Sequence, residues 1–361
     1  MHLMSYLGIE NADDFRVWRQ TLHGRFTTPH DELEAILNSW EMSNFIIGDR
    51  IVTGEATEVY PVYDCATLDV LGYLRIAHGT SMNSTEMVLM KACQKANLPT
   101  VKMLHGSSKR SDNTPISHGQ AITFLAPAQG ENLLDLIGGK HFKPDKLKVA
   151  ITNAGVLLAQ IHDLPKCNPD IATTIEVGHR ELQRDHFRRI LSDLRKRMQL
   201  VPEATTLLDQ IVRSERDVTS AFKDLKRVYP PVLVHADFDP KHIFIDEQTG
   251  VITSLIDFGG AHVNLPHFDF VHWRTYSDST YEMFLNAYLE TRFGNDQVAA
   301  KDFTQGIDVA DALCHLISAR TRLDHLLVPE AVGHLGLCAD ACARVVNQTR
   351  PPHAQLAEVA R

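Results

Sequence analysis

The sequence has no apolar run approaching the ~20 residues that a bilayer-spanning helix needs, so no transmembrane helix is expected. Its opening residues, MHLMSYLGIENADD, carry neither a basic n-region nor an apolar h-region, and no secretory signal is expected either. The six cysteines (65, 93, 167, 314, 338 and 342) form no CxxC pair and no disulfide-like ladder. That usage suits a reducing compartment, and the expected location is cytoplasmic. A long basic run is missing too, and the net charge is −9. Phosphate neutralisation supplies most of the affinity for nucleic acid, so a nucleic-acid partner is not expected, nor is a membrane. No HExxH spacing occurs among the 19 histidines, and there is no internal repeat or low-complexity tract. What remains is ordinary: 361 residues, 44% hydrophobic and 22% charged, the balance of a soluble enzyme with one large domain or two lobes.

Periodicity divides the chain in three. Residues 11–24 and about 30–40 read as short helices, the second with Leu33, Ile36 and Leu37 on one face. From Asn44 the pattern turns β-rich, through NFIIGDRIVTGEATEVYPVYD and DVLGYLRIA, with breaks at Gly54 and near Cys65. A helix over SMNSTEMVLMKACQKANLP ends at Asn97 and Pro99, and the strands VKMLHG and QAITFLA follow. Beyond a turn with Pro127 and Gly130 the chain is mostly helical: an apolar helix stopped by Pro165, a charged pair over 179–228, and a stretch from Tyr281 to Val346.

Two short strand–loop units interrupt that helical region. LVHADFDPKHIFID breaks off a buried strand to place a His, two acids, a Lys and another His, and then resumes at Ile243. SLIDFGGAH repeats the form, an apolar strand with Asp257 at its end. Most loop aspartates merely cap turns. Two acidic strand ends about twenty residues apart point elsewhere, because stiff strands can aim side chains at a ligand. Carboxylates that converge in a cleft repel unless a cation or proton lies between them. A hard cation such as Mg²⁺ fits, since it prefers oxygen ligands together with substrate phosphates.

HADFDPKH followed by IDFGG resembles the catalytic and metal loops of the aminoglycoside phosphotransferase and choline kinase family, relatives of protein kinases. The family's usual form is H-G-D-x-x-x-x-N and then I-D-F/W-G, and the likeness runs over roughly residues 45–320. It implies an α+β, two-lobed protein-kinase-like fold with a β-rich N-lobe and a larger helical C-lobe. The expected divisions are a helical N-terminal extension at 1–43, a nucleotide-binding N-lobe at 44–126, and a C-lobe at 127–361 with the catalytic loops and acceptor-binding helices. The resemblance makes Asp237 the base that accepts the acceptor's hydroxyl proton and Asp257 a ligand of Mg²⁺ on the phosphates of ATP or GTP. It puts Gly54 and Thr57 in the loop covering the phosphates, Arg75 in place of the strand lysine, and Glu86 as the helix acid paired with it. The hinge FLAPAQG would offer the base of the nucleotide the Ala126 carbonyl and the Ala128 N–H. His242 stands where the family usually has an asparagine metal ligand, as it does in the macrolide kinases of the family. His235 is implied to brace the loop backbone and Asp269 to support the catalytic loop.

The implied reaction moves a γ-phosphate to a hydroxyl of a small molecule, either an antibiotic or an alcohol-bearing metabolite. The rival is a non-catalytic, nucleotide-binding or partner-binding pseudokinase, suggested by the single glycine of VTGEATEVYPV and by His242. Two further groups read as structural. His334, Cys338 and Cys342 share one helix face, which alone cannot close a tetrahedral metal site. Trp273, Tyr276, Tyr281 and Phe284 read as core packing before pocket wall.

Overall fold

The structure is a computed structural model that describes residues 27–51, 57–77, 83–107, 122–139, 143–166, 171–173, 186–324 and 327–349. The expected helix over 11–24, Gly54 and Cys167 lie outside them. The chain folds into two lobes of α+β type, as expected.

In the smaller lobe, helix α1 (His30–Ser39) opens with Asp31 and Glu32 in its first turn, where acids complement the helix dipole. Leu33, Ile36 and Leu37 form its buried face. They pack on Val62, Leu74, Ile76 and Phe124 of a five-stranded antiparallel sheet. Each such side chain contributes about 1.5–3 kcal/mol when fully buried, so α1 roofs the sheet and shares its core. The sheet order is β1 (Phe45–Ile47), β2 (Thr57–Asp64), β3 (Val70–Ala77), β5 (Ile122–Leu125) and β4 (Met103–Ser107). Side chains alternate along a strand. With Leu74 and Ile76 committed to the core under α1, Arg75 projects to the opposite face, towards helix α2 (Asn83–Lys95).

The connection to the larger lobe is pinned at both ends. Ala126 N–H donates to the Lys102 carbonyl at 2.8 Å, and Gln129 N–H donates to Ser254 Oγ at 3.0 Å. Gly130 follows at φ 91°, and a Cβ there would lie 2.3 Å from the Ile245 carbonyl oxygen. Only glycine satisfies both conditions. Strand β6 (Glu131–Asn132) then pairs with β8 (Ile243–Ile245), which pairs with β9 (Ile252–Leu255). A second small sheet joins β7 (Val232–Val234) to β10 (His262–Asn264).

Helices build the rest. After α3 (Leu133–Gly138), the apolar α4 (Pro144–Asp163) packs against α7 (Asp278–Phe293). The charged pair is α5 (His186–Arg197) and α6 (Pro202–Val228). The last helical stretch resolves into α7, α8 (Gln297–Asp324) and α9 (Val328–Thr349). Trp273 and Phe284 are fully buried and stacked at 4.0 Å, as core aromatics. Cys338 and Cys342 are buried on α9, with Cys338 Sγ–H donating to the Ala312 carbonyl of α8 at 3.2 Å. That stripe is a helix-packing face. Among the described residues no helix is long and apolar enough to cross a membrane.

Candidate active site

The loop after β7 is held from below by one carboxylate. Asp269, fully buried, accepts from His235 N–H at 2.9 Å and from Ala236 N–H at 2.6 Å. It also accepts from His162 Nε2 at 2.9 Å, while His162 Nδ1 meets the Tyr288 hydroxyl at 2.9 Å. Ala236 sits at φ 66°, a left-handed conformation that places Asp237 at the open end of the turn. His235 Nε2–H donates to the Ile256 carbonyl at 3.0 Å and so ties this loop to the residue before Asp257. Burial pushes the Asp269 carboxyl up, and the His162 bond and surrounding charges pull it net below its usual range. Asp269→Ala strands the buried His235 N–H, at a penalty of about 1–3 kcal/mol, and the half-buried Ala236 N–H, and takes a hydrogen bond from buried His162. The expected result is a loss of about 2–5 kcal/mol in a denaturant titration.

Asp257 follows β9 in a left-handed conformation, φ 62° and ψ 59°, which a short Asp side chain tolerates. Its Oδ1 accepts from an Arg75 guanidinium nitrogen at 2.9 Å. Another guanidinium nitrogen of Arg75 is ion-paired with Glu86 Oε1. Arg75 and Glu86 are both buried, so this pair is not the weak surface bridge that exposed ions make. Burial pushes the Arg75 guanidinium down, but Glu86 and Asp257 raise it above its ordinary value. Thr57 opens β2 opposite Ala77, on the strand pair that carries Arg75.

His242 joins the two loops. Its Nδ1 lies 2.9 Å from the Asp237 carbonyl oxygen, and its Nε2 lies 3.3 Å from Asp257 Oδ2. Asp237, His242 and Asp257 each present one ligand-type atom, all within 4.8 Å of one another. Burial raises the Asp237 carboxyl, but His272, His242 and Lys241 hold it well below its usual range. The side chain is therefore a carboxylate at neutral pH. The hinge residues Ala126 and Ala128 lie on the connection between the lobes, with Ala128 half-buried against the larger core.

Three residues around Asp237, Lys241, Asp239 and His272, were given no role by the sequence, and a fourth, Tyr276, was read as core packing but sits half-buried with its hydroxyl on Asp239. Lys241 Nζ donates to Asp237 Oδ1 at 3.2 Å, and His272 Nε2 lies 3.4 Å from the same oxygen. Buried Asp239 accepts from Lys241 N–H and from the Tyr276 hydroxyl, both at 2.9 Å. Lys241 had a signal, because a short helical turn at Pro240–His242 brings it back over Asp237. His272 and Tyr276 had none, since only tertiary packing brings residues 272–276 to the loop.

Several buried histidines set the acid limit of the fold. Burial pushes His162 down, and pushes His267 and His315 to about 3. An unfolded histidine binds its proton near 6.5. Below that pH the unfolded chain takes up protons that the folded chain refuses, so stability falls with pH. The window runs from about 6.5 down to about 3, below which the folded state protonates as well. Melting temperature followed across that window is expected to drop, offset in part near pH 6 by Asp311, whose buried carboxyl is raised to about 6.

A model of the phosphotransferase enzyme family (APH) matches residues 88–301. No curated protein matches the chain by sequence. Solved structures of similar fold include the GDP complex of wild-type aminoglycoside 2'-phosphotransferase-IIIa, at 15% identity and a TM-score of 0.57, covering 88% of this chain and 99% of that one. The streptomycin–ATP complex of APH(2")-IIa is similar at 13% identity and TM-score 0.54, over the same shares of the two chains. A thermostable mutant of aminoglycoside phosphotransferase APH(4)-Ia in its apo form gives 17% identity and 0.51, with 88% and 99% covered. These likenesses assign the protein-kinase-like fold. With more than half of its length matched by the family model, the chain belongs to the phosphotransferase enzyme family.

Proposed function

We propose that this phosphotransferase moves the γ-phosphate of ATP or GTP to a hydroxyl of a small molecule, with Asp237 as the general base. The observation that carries this reading is the meeting of two strand ends. Asp237 stands on one, Asp257 on the other, His242 touches both, and Arg75 reaches Asp257 from the sheet lobe. Lys241 and His272 both engage Asp237 Oδ1, whereas Oδ2 lies 3.7 Å from His242 Nδ1 and is the oxygen that would take the acceptor's proton.

The donor set fits a divalent cation. His242 Nδ1 lies 2.9 Å from the Asp237 carbonyl oxygen, which leaves Nε2 facing Asp257 Oδ2 across 3.3 Å. Together with Asp237 these atoms form a cluster of ligand types within 4.8 Å of one another, a donor set a divalent cation can use. His242 and Asp257 would hold the ion, which when bound neutralises charge on the nucleotide phosphates. Arg75 adds a buried guanidinium beside it, and phosphate is a ligand that guanidinium binds well. The Ala126 carbonyl and the Ala128 N–H, on the connection between the lobes, would pair with the base of the nucleotide. Gly54 and Thr57 belong to the segment that would cover its phosphates.

The acceptor would lie between the Asp237 loop and the helices that follow α4. Proteins of similar fold have been solved with GDP and with ATP plus streptomycin, which supports a nucleotide and a hydroxylated acceptor for this chain. An antibiotic or an alcohol-bearing metabolite fits that description. The test is a melting-temperature titration with ATP and GTP, with and without Mg²⁺, followed by a phosphate-transfer screen over hydroxylated compounds. Stabilisation by nucleotide without any transfer would favour a pseudokinase.

A further inference from the structure

We propose that Lys241 is a catalytic residue that receives the phosphoryl group on the acceptor side, exchanging its bond to Asp237 for one to the transferred phosphate. The inference rests on the kinase reading above and adds to it the cation that meets the phosphate after transfer.

The backbone of Lys241 is fixed, and the end of its side chain is not. Pro240 opens a short helical turn, and Asp239 caps it by accepting from Lys241 N–H at 2.9 Å. Asp239 is held in its turn by the Tyr276 hydroxyl at 2.9 Å, and Asn132 Nδ2 donates to the Lys241 carbonyl at 2.6 Å. Beyond that anchor the side chain is 33% exposed, which leaves room for its end to swing. An ammonium carries three N–H donors. Among the described residues Nζ gives one of them, to Asp237 Oδ1 at 3.2 Å, which leaves the others for a ligand.

The reaction brings a phosphate within reach of those donors. The acceptor oxygen must come within about 2.6–3.2 Å of Asp237 Oδ2 to give up its proton, and within about 3–3.5 Å of phosphorus. Its lone pair then forms the new O–P bond, and its proton passes to Oδ2. The bond from phosphorus to the β,γ-bridging oxygen breaks, with its electron pair left on ADP or GDP. The proton cancels the carboxylate charge that holds Nζ, while the acceptor gains an anionic phosphate beside it. Lys241 therefore loses one anionic partner as it gains another. His272 Nε2, 3.4 Å from the same Oδ1, keeps that oxygen in place when Nζ leaves. Arg75 stays on the nucleotide side, paired with Asp257 and Glu86. The competing role for Lys241 is to orient Asp237 and touch nothing else.

The experiment uses the full chain with an acceptor from the transfer screen, and ADP with aluminium fluoride as a mimic of the transferring phosphoryl group. Lys241→Met is expected to lower kcat by ~10²–10³-fold, the usual loss when one donor to developing charge is removed, with ADP affinity little changed. Lys241→Arg keeps the charge and is expected to recover most of the rate, since guanidinium also binds phosphate. Aluminium fluoride added to ADP and Mg²⁺ should raise the melting temperature further in wild type and in Asp237→Asn, and should add nothing in Lys241→Met. A lysine that only orients Asp237 leaves that second rise intact in Lys241→Met, and this result overturns the proposal. An unchanged kcat in Lys241→Met, or no fluoride-dependent rise in wild type that binds ADP, overturns it as well. Lys241→Gln supplies both readings if the methionine variant does not fold. Wild-type protein that neither ADP nor GDP stabilises, and that transfers no phosphate, would end the kinase reading itself and this inference with it.

Discussion

Asp237→Asn is expected to lower kcat by ~10²–10⁴-fold, the usual worth of general-base assistance, with nucleotide affinity little changed. The local geometry makes the substitution clean. Lys241 Nζ donates to Oδ1, so the amide of the variant settles with its oxygen towards Lys241 and its NH₂ in place of Oδ2. The NH₂ then faces the acceptor hydroxyl and cannot take its proton. The backbone carbonyl of residue 237, which holds His242, is untouched. Loss should therefore fall in kcat and kcat/KM together, the signature of an interaction made only in the transition state. Steady-state kinetics on a confirmed acceptor, beside a nucleotide titration, separates the two effects.

Asp257→Asn is expected to weaken metal-dependent nucleotide binding by at least ~100-fold, the upper end of what disturbing even the support of a metal ligand does. Asparagine is the informative choice because residue 257 sits at φ 62°, where Asn is tolerated and Ala is strained. Arg75 keeps Glu86 as a partner, so the metal-free variant should melt close to wild type. Isothermal titration with nucleotide at fixed Mg²⁺ or Mn²⁺ measures the loss. A variant that collapses without ligand would make Asp257 a structural turn residue.

The pattern of the two strand–loop units was legible in the sequence because each places an acid where an apolar run stops. Arg75 was reached through the family resemblance, and the structure adds a local reason: in YLRIA it is the charged position between two residues that the core claims. The helix face of Leu33, Ile36 and Leu37 could be read from spacing, but its docking onto the sheet could not, because spacing gives a face and not its partner. The surroundings of Asp237 were the least legible part. Lys241 acts through a single short turn, and His272 and Tyr276 arrive from a segment with no motif. The same holds behind them, where Arg274 and Arg344 reach Asp308 at 2.6 and 2.7 Å and Gln348 closes the group at 2.6 Å. Those contacts join α8 and α9 to the segment beside the catalytic loop, and no local pattern encodes them.

The central claim is transfer of a phosphoryl group to a hydroxyl with Asp237 as base. Phosphorus NMR of an acceptor mixture incubated with ATP or GTP, a divalent ion and either wild-type or Asp237→Asn protein tests it most directly. The expected result is a new phosphate-monoester resonance that grows with wild-type protein and is at least ~100-fold slower with the variant. Equal growth with both proteins would contradict the account.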